Sequence, residues 1–110
     1  MTIQDLLEKT NWKLLTENLN VEIPVQGVFV GDLLSWVMGN SEPKQAWVTV
    51  QAHSNVLAVA ALRELSCIII CQGAQVNEDM ILQANTEKIP VIGTELSAFE
   101  VCRILIDIGI

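Results

Sequence analysis

Residues suited to contacting a small ligand follow three predicted strands, at the points where each strand gives way to a helix. They are His53, Ser54 and Asn55 after the first strand, Gln72 and Gly73 after the second, and Thr94 and Ser97 after the third. In open parallel sheets, ligands bind outside the carboxyl ends of the strands. Helices that begin near Asn55, Asn77 and Ser97 would point their amide-rich N-termini at the same edge. The pattern therefore predicts a shallow crevice for a small polar ligand.

The single histidine, His53, is the natural candidate for a general base. A catalytic Ser–His or Cys–His pair also needs a nucleophile within hydrogen-bond reach and a third group that orients the ring. The G-x-S-x-G motif of serine hydrolases is absent from the sequence. We therefore interpret His53 first as a hydrogen-bonded turn residue, and a ligand contact is the functional alternative.

The motifs of the common cofactor-dependent enzymes do not occur in this sequence. Neither G-x-x-x-x-G-K-[ST] nor G-x-G-x-x-G is present, so the phosphate loops of kinases and dehydrogenases are missing. The cysteines Cys67, Cys71 and Cys102 form no Cys-x-x-Cys pair, which argues against a zinc or iron–sulfur site. We expect no catalytic activity, no metal and no cofactor.

Length and composition favour a single domain over residues 1–110 that hides apolar surface against a second copy. Hydrophobic residues make up 51% of the 110 residues, and the mean hydropathy of +0.42 is high for so small a domain. A small domain has little interior for that surplus, so we expect a homodimer. The net charge of −7, with scattered Lys and Arg residues, argues against binding to nucleic acid or an anionic membrane. Without a signal peptide or a membrane-spanning run in the sequence, we expect a cytoplasmic protein.

The hydrophobic pattern predicts an α/β fold with three layers, in which helices cover both faces of a mostly parallel sheet. Helices are predicted over residues 2–10, 32–38, 55–65, 77–86 and 97–108, and strands over 12–16, 25–30, 46–51, 67–71 and 91–94. Cys67–Cys71 is apolar at every position, as expected of a strand covered on both faces. Three consecutive strand–helix units follow from residue 46 onward. Pro24 and Gly27 indicate that the segment over 25–30 is an edge strand or a loop rather than a central strand.

Several polar residues have local structural explanations as helix caps. Ser97 and Glu100 match a capping box, and Asn55 and Asn77 are natural N-caps. Asp32 is well placed to cap the helix over 32–38. The apolar residues of that helix, Leu33, Leu34, Trp36, Val37 and Met38, are consistent either with packing between subunits or with burial in the core of one protomer.

The sequence resembles the DRTGG domain at Gly27 and over the segments Gly31–Met38 and Trp47–Ala60. The likeness continues over the later segments Ile89–Ile92 and Ser97–Glu100. The resemblance implies a fold similar to the amino-terminal domain of HPr kinase/phosphorylase. It also implies a role in regulation and dimer formation, since such domains occur beside CBS domains in the regulatory regions of some pyrophosphatases. No catalytic residues are implied, because the kinase's phosphate loop lies in another domain. Of the motif that names the family, Pro24–Val28 keeps only Gly27.

These observations favour a non-catalytic regulatory module that forms a homodimer and binds a small polar or nucleotide-like ligand at the strand ends. One alternative is a structural adaptor for a larger enzyme complex, encoded nearby, with Trp36, Met38 and Ile104–Ile110 as its contact face. Another is a small enzyme in which His53 acts with a serine or a carboxylate.

Overall fold

Strands and helices alternate along most of the chain, in the order that the hydrophobic pattern predicts. The computed structural model describes residues 1–17 and 19–110. Its elements are α1 (Ile3–Lys9), β1 (Lys13–Leu14), β2 (Gly27–Val30), α2 (Leu34–Asn40), β3 (Gln45–Thr49), α3 (Asn55–Leu62), β4 (Cys67–Ile70), α4 (Glu78–Glu87), β5 (Val91–Gly93) and α5 (Ala98–Asp107). Every predicted helix and strand has a counterpart, and the differences lie at the ends of the elements, where hydrogen bonding frays.

The strands form one sheet of five strands in the order β1-β5-β4-β3-β2. Strands β2 to β5 are parallel, and β1 runs antiparallel to β5. The predicted mostly parallel sheet is therefore confirmed. The strand that contains Gly27 lies at the edge of the sheet, as its Pro24 and Gly27 had indicated.

Helices cover both faces of the sheet, so the predicted three-layer architecture is also confirmed. The buried side chains of α2, α3 and α4 cluster against one face, and those of α1 and α5 cluster against the other. Strands β2 to β5 are neighbours in chain order, and crossovers of one hand between such strands place all their helices on the same face. Successive strand residues point to opposite faces. Ile68 accordingly belongs to the three-helix side and Ile69 to the two-helix side, which explains an apolar residue at every position of β4.

Helix α2 presents apolar side chains both to the core and to the outside. Val37 is completely buried, and Leu34 and Met38 pack partly against the same cluster. Leu33 and Trp36, in contrast, are 65% and 61% exposed. Burial in the core of one protomer therefore explains Val37, Leu34 and Met38, whereas packing between subunits stays a prediction for Leu33 and Trp36.

Trp47 lies in the core, unlike the exposed Trp36 on α2. Its side chain is 0% exposed, and its indole Nε1 donates a hydrogen bond of 2.8 Å to the carbonyl oxygen of Gly31. This contact connects the interior of β3 with the turn that leads from β2 into α2, because Gly31 immediately follows Val30.

The helix caps are confirmed at two of the four predicted positions. Ser97 and Glu100 form the expected capping box, and the Asn77 side chain accepts the backbone N–H of Met80 at 2.9 Å. The predicted caps at Asp32 and Asn55 are wrong, since the N-cap residues of α2 and α3 are Leu33 and Ser54. The Asp32 carboxylate instead accepts hydrogen bonds from Thr49 and Val50, and Asn55 donates its backbone N–H to His53.

Candidate functional site

The carboxyl edge of the sheet contains a point where the chain leaves adjacent strands in opposite directions. The segment after β4 leads to α4 on the three-helix face, whereas the segment after β5 leads to α5 on the two-helix face. When neighbouring parallel strands diverge in this way, a crevice opens between their loops, and ligands of α/β proteins bind there.

A cavity of about 550 Å³ occupies this crevice. Its volume lies in the range of small-molecule sites. Three parts of the chain line it: the end of β4 with the loop that follows, the end of β5 with its loop, and the segment around β1. The lining residues are Asn11, Trp12, Lys13, Leu15, Ile70, Gly73, Ala74, Gln75, Val76, Gly93, Thr94, Glu95 and Leu96.

Backbone hydrogen bonds hold the two loops together beside the cavity. The N–H of Gln72 donates to the carbonyl oxygen of Leu96 at 2.7 Å, and the N–H of Gly73 donates to that of Thr94 at 2.9 Å. Gly73 has a φ of +64°, a left-handed conformation that glycine adopts without the strain imposed by a side chain. A Cβ atom at this position would clash with the carboxylate of Glu95, so glycine also provides the space for that carboxylate.

Trp12, one of the lining residues, also has a buried hydrogen-bond donor without a partner. Its side chain is 6% exposed, and its Nε1 has no acceptor within the described part of the chain. A buried donor without an acceptor costs roughly 1–3 kcal/mol, and native proteins contain few of them. This donor is buried with the side chain, which packs in the cluster on the two-helix face of the sheet.

The predicted ligand-binding residues do not all meet at this cavity. Gly73 and Thr94 line it. Gln72 and Ser97 lie next to lining residues in the chain, but the Ser97 hydroxyl is engaged with Glu100 in the capping box. His53, Ser54 and Asn55 follow β3 and are not among the lining residues. Ligand binding by any of the predicted residues stays a prediction.

His53 is exposed and belongs to the turn before α3. Its Nδ1 accepts the backbone N–H of Asn55 at 3.2 Å. The hydrogen-bonded turn interpretation therefore describes this residue, and it explains why Asn55 is not the N-cap: its backbone lies one position further into the helix.

The cavity also includes residues that the sequence pattern did not single out. Trp12, Lys13 and Leu15 reach it because β1 pairs antiparallel with β5, which sets Lys13 opposite Gly93. That pairing joins residues far apart in the chain, and no motif in the short β1 segment predicts it.

All three cysteines are free thiols; Cys67 and Cys71 are buried, and Cys102 is half-buried. Burial raises the pKa of the Cys67 thiol to about 12 and also raises the pKa values of Cys71 and Cys102. Thiolate is the form that attacks electrophiles and binds metals, so these thiols are poorly suited to either task. Across residues 1–17 and 19–110, no three His, Cys, Asp or Glu side chains come together as a metal site.

Asp32 connects the carboxyl ends of β2 and β3. Its Oδ1 accepts the hydroxyl of Thr49 at 2.8 Å and the backbone N–H of Val50 at 2.9 Å, so the carboxylate cannot also cap α2. Thr49 is itself buried, and its hydroxyl oxygen accepts the N–H of Gln51 at 3.1 Å.

Replacing Asp32 with Ala is expected to lower the free energy of unfolding by about 1–3 kcal/mol, because the buried Thr49 hydroxyl loses its acceptor. Asp32→Asn keeps an oxygen at the Oδ1 position and is expected to cost less than half as much. Chemical denaturation followed by far-UV circular dichroism measures both changes. Equal losses of unfolding free energy for the two variants would show that the negative charge of Asp32, rather than its acceptor oxygen, stabilises the fold.

The architecture is that of a three-layer α/β/α domain with a cavity at the carboxyl edge of its sheet. Its structure is similar to the crystal structure of the CBS and DRTGG domains of the regulatory region of Clostridium perfringens pyrophosphatase, complexed with its activator, diadenosine tetraphosphate. The TM-score is 0.74 at 15% sequence identity, and the match covers 96% of this chain and 46% of that one. The chain thus spans less than half of the matched structure, and the likeness confirms the DRTGG-like fold.

Comparison at the sequence level adds nothing to this likeness, since no protein-family model and no curated protein sequence matches. Within the described residues, no helix has the length and apolar character needed to cross a membrane.

Proposed function

We propose that this chain is a non-catalytic regulatory domain that senses a small polar ligand and associates as a homodimer. The cavity where the chain diverges after β4 and β5 is the observation that carries the proposal, because it is a ligand-sized space at the position where this architecture places ligands. The likeness to a pyrophosphatase regulatory region that binds a nucleotide activator supports a role in regulation. Such a domain would act on an enzyme encoded nearby.

The homodimer half of the proposal rests on the β2–α2 patch, which we define as Val30, Leu33 and Trp36. All three side chains are exposed, and they lie where the sheet ends at β2. α2 is the outer helix of its layer because it connects β2 to β3, and Leu34 and Met38 occupy its core side.

A second copy of the chain suits this patch better than a partner of opposite charge. β2 has no charged residue, and Asp32 is the one charged residue between Val30 and Trp36, although the chain as a whole carries a net charge of −7. An uncharged edge strand with free backbone groups is a template for pairing with another strand. Around a two-fold axis, two β2 strands would pair antiparallel and extend the sheet, and both patches would be covered at once.

Leu33→Lys is expected to weaken dimerisation at least about tenfold, because a charge at the centre of a desolvated interface loses its hydration. Leu82→Lys is the matched control: Leu82 is 63% exposed against 65% for Leu33, but it lies on α4, away from β2. Sedimentation velocity over a range of micromolar concentrations measures the association of the wild-type chain and both variants. Equal weakening by the two substitutions would place the interface elsewhere.

A structural adaptor remains the second candidate, and the exposure of Trp36 is the observation that favours it. The contact face first expected for it is not continuous, since α2 and the carboxy-terminal α5 lie in opposite layers. If the wild-type chain sediments as a monomer throughout that range, the homodimer is contradicted and the patch is left for a different protein.

The ligand half of the proposal is tested separately by thermal unfolding in the presence of small polar compounds. Any compound that binds only the folded state raises the unfolding temperature. The panel contains diadenosine tetraphosphate, AMP, inorganic phosphate and the standard amino acids at millimolar concentration. If no member raises the unfolding temperature, the sensing role is contradicted.

A further inference from the structure

We infer that the cavity takes a small zwitterion, a molecule that carries an ammonium group and a carboxylate on an apolar body, such as an α-amino acid. This inference rests on the proposed sensing function and specifies the chemical class of its ligand.

One positive and one negative side chain line the cavity, and they belong to different walls. Lys13 lies on β1, and Glu95 lies in the loop between β5 and α5. Lys13 lies opposite Gly93 in the sheet, and Glu95 follows Gly93 by two residues. Both charges therefore flank the same opening. Both side chains are exposed. They are placed to bind the carboxylate and the ammonium group of one ligand with charge-assisted hydrogen bonds.

The electrostatic surroundings oppose a ligand with several negative charges. Among the described residues that line the cavity, Lys13 is the only cation, and Glu95 cancels its charge. The helix that follows the β4 loop begins with Glu78 and Asp79, and the helix after the β5 loop has Glu100 in its first turn. Polyphosphates are bound by clusters of Arg, Lys or metal ions, and this cavity has no such cluster in its lining. Its ligand therefore differs in class from diadenosine tetraphosphate.

The remaining lining suits a compact apolar body. Apolar residues contribute part of the wall, namely Trp12, Leu15, Ile70, Val76 and Leu96. Gly93 has no side chain to occupy the space, and a Cβ atom added there would lie 3.2 Å from Leu15 Cδ1.

The test uses isothermal titration calorimetry of the full chain with each standard amino acid, AMP and diadenosine tetraphosphate. For leucine, the matched probes are 4-methylpentanoate, which lacks the ammonium group, and 3-methylbutylamine, which lacks the carboxylate. For whichever amino acid binds most tightly, we expect both of the corresponding analogues to bind at least about tenfold more weakly, since each loses one charge-assisted contact.

Two substitutions assign the contacts to the two side chains. Lys13→Ala is expected to weaken amino-acid binding about tenfold or more while leaving the affinity for the amine analogue unchanged. Glu95→Gln is also expected to weaken amino-acid binding about tenfold or more, but it should leave the affinity for the carboxylate analogue unchanged. Lys9→Ala and Glu87→Gln are the controls, because both residues are exposed and neither lines the cavity.

The outcomes separate this inference from the sensing function on which it rests. Binding of AMP or diadenosine tetraphosphate without any amino acid would overturn the inference and leave the sensing function intact. Amino-acid binding that neither Lys13→Ala nor Glu95→Gln weakens would also overturn it, since the ligand would then lie elsewhere. If no compound in the panel binds, both the inference and the sensing function are overturned.

Discussion

Replacing Trp47 with Ala is expected to lower the free energy of unfolding by about 3–5 kcal/mol, the range for a large aromatic side chain removed from a core. Trp47 is 0% exposed and packs between the sheet and the three-helix layer. The substitution also removes the hydrogen bond from Nε1 to the Gly31 carbonyl oxygen. We expect Trp47→Phe to recover most of the packing but not that bond.

Trp36→Ala is the matched control, since it removes the same side chain from a position that is 61% exposed. Its cost is expected to stay within about 0.5 kcal/mol, as for most surface substitutions. Because association adds to apparent stability, both substitutions should be compared in the Leu33→Lys background by urea denaturation with far-UV circular dichroism. Similar losses at the two positions would contradict the assignment of Trp47 to the core and Trp36 to the surface.

The stability of the protein is expected to fall steeply in alkaline solution, by about 4 kcal/mol between pH 9 and pH 12 from Cys67 alone. Burial raises the pKa of this thiol from 9.0 to about 12. In that interval the unfolded chain releases the thiol proton and the folded chain keeps it. The contribution is therefore fully present below pH 9 and is lost as the pH rises towards 12, at about 1.4 kcal/mol per pH unit.

Cys67→Ala isolates this effect, because it removes the titrating group and leaves the other groups that ionise in the same range. The measured quantity is the slope of the free energy of unfolding against pH, from urea denaturation at closely spaced pH values. Midway between pH 9 and pH 12, the slope of the wild-type chain is expected to be the steeper by about 1.4 kcal/mol per pH unit. Parallel curves for the two chains would show that the Cys67 thiol ionises as readily in the folded state as in the unfolded one.

The two halves of the proposed function belong to opposite edges of one sheet. The cavity is bounded by β1, β5 and β4, whereas the β2–α2 patch lies at the far edge, beyond β3. A substitution at Leu33 therefore leaves the cavity unaltered, and Lys13 and Glu95 lie away from the patch. If ligand binding also changes the dimer affinity, the sheet must transmit a coupling free energy between the two sites, and dimerisation must change ligand affinity by the same factor.

Much of the architecture could be predicted from local patterns. The all-apolar run Cys67–Cys71 identified a strand covered on both faces, and the repeated strand–helix units identified the parallel sheet. The position of one predicted edge strand followed from Pro24 and Gly27, because proline lacks the N–H that a central strand needs.

The candidate site could be predicted only in part. The strand ends after β4 and β5 were recognisable, and Gly73 and Thr94 do line the cavity. Because all parallel strands end at the same edge, the sequence pattern also places His53, which follows β3, at the predicted site. The cavity, however, opens only where the chain diverges after β4 and β5. That divergence depends on the faces to which α4 and α5 are directed.

By itself, the sequence determined the order of strands and helices and the caps at Asn77 and Ser97. These features depend on residues within a few positions of one another, so periodicity and spacing reveal them. Only the tertiary structure decided that Lys13 faces Gly93 across β1 and β5, and that Asp32 binds Thr49, a residue 17 positions away, rather than its own helix. The reason is physical: such contacts join residues distant in the chain, and which of them form depends on how the layers pack as a whole.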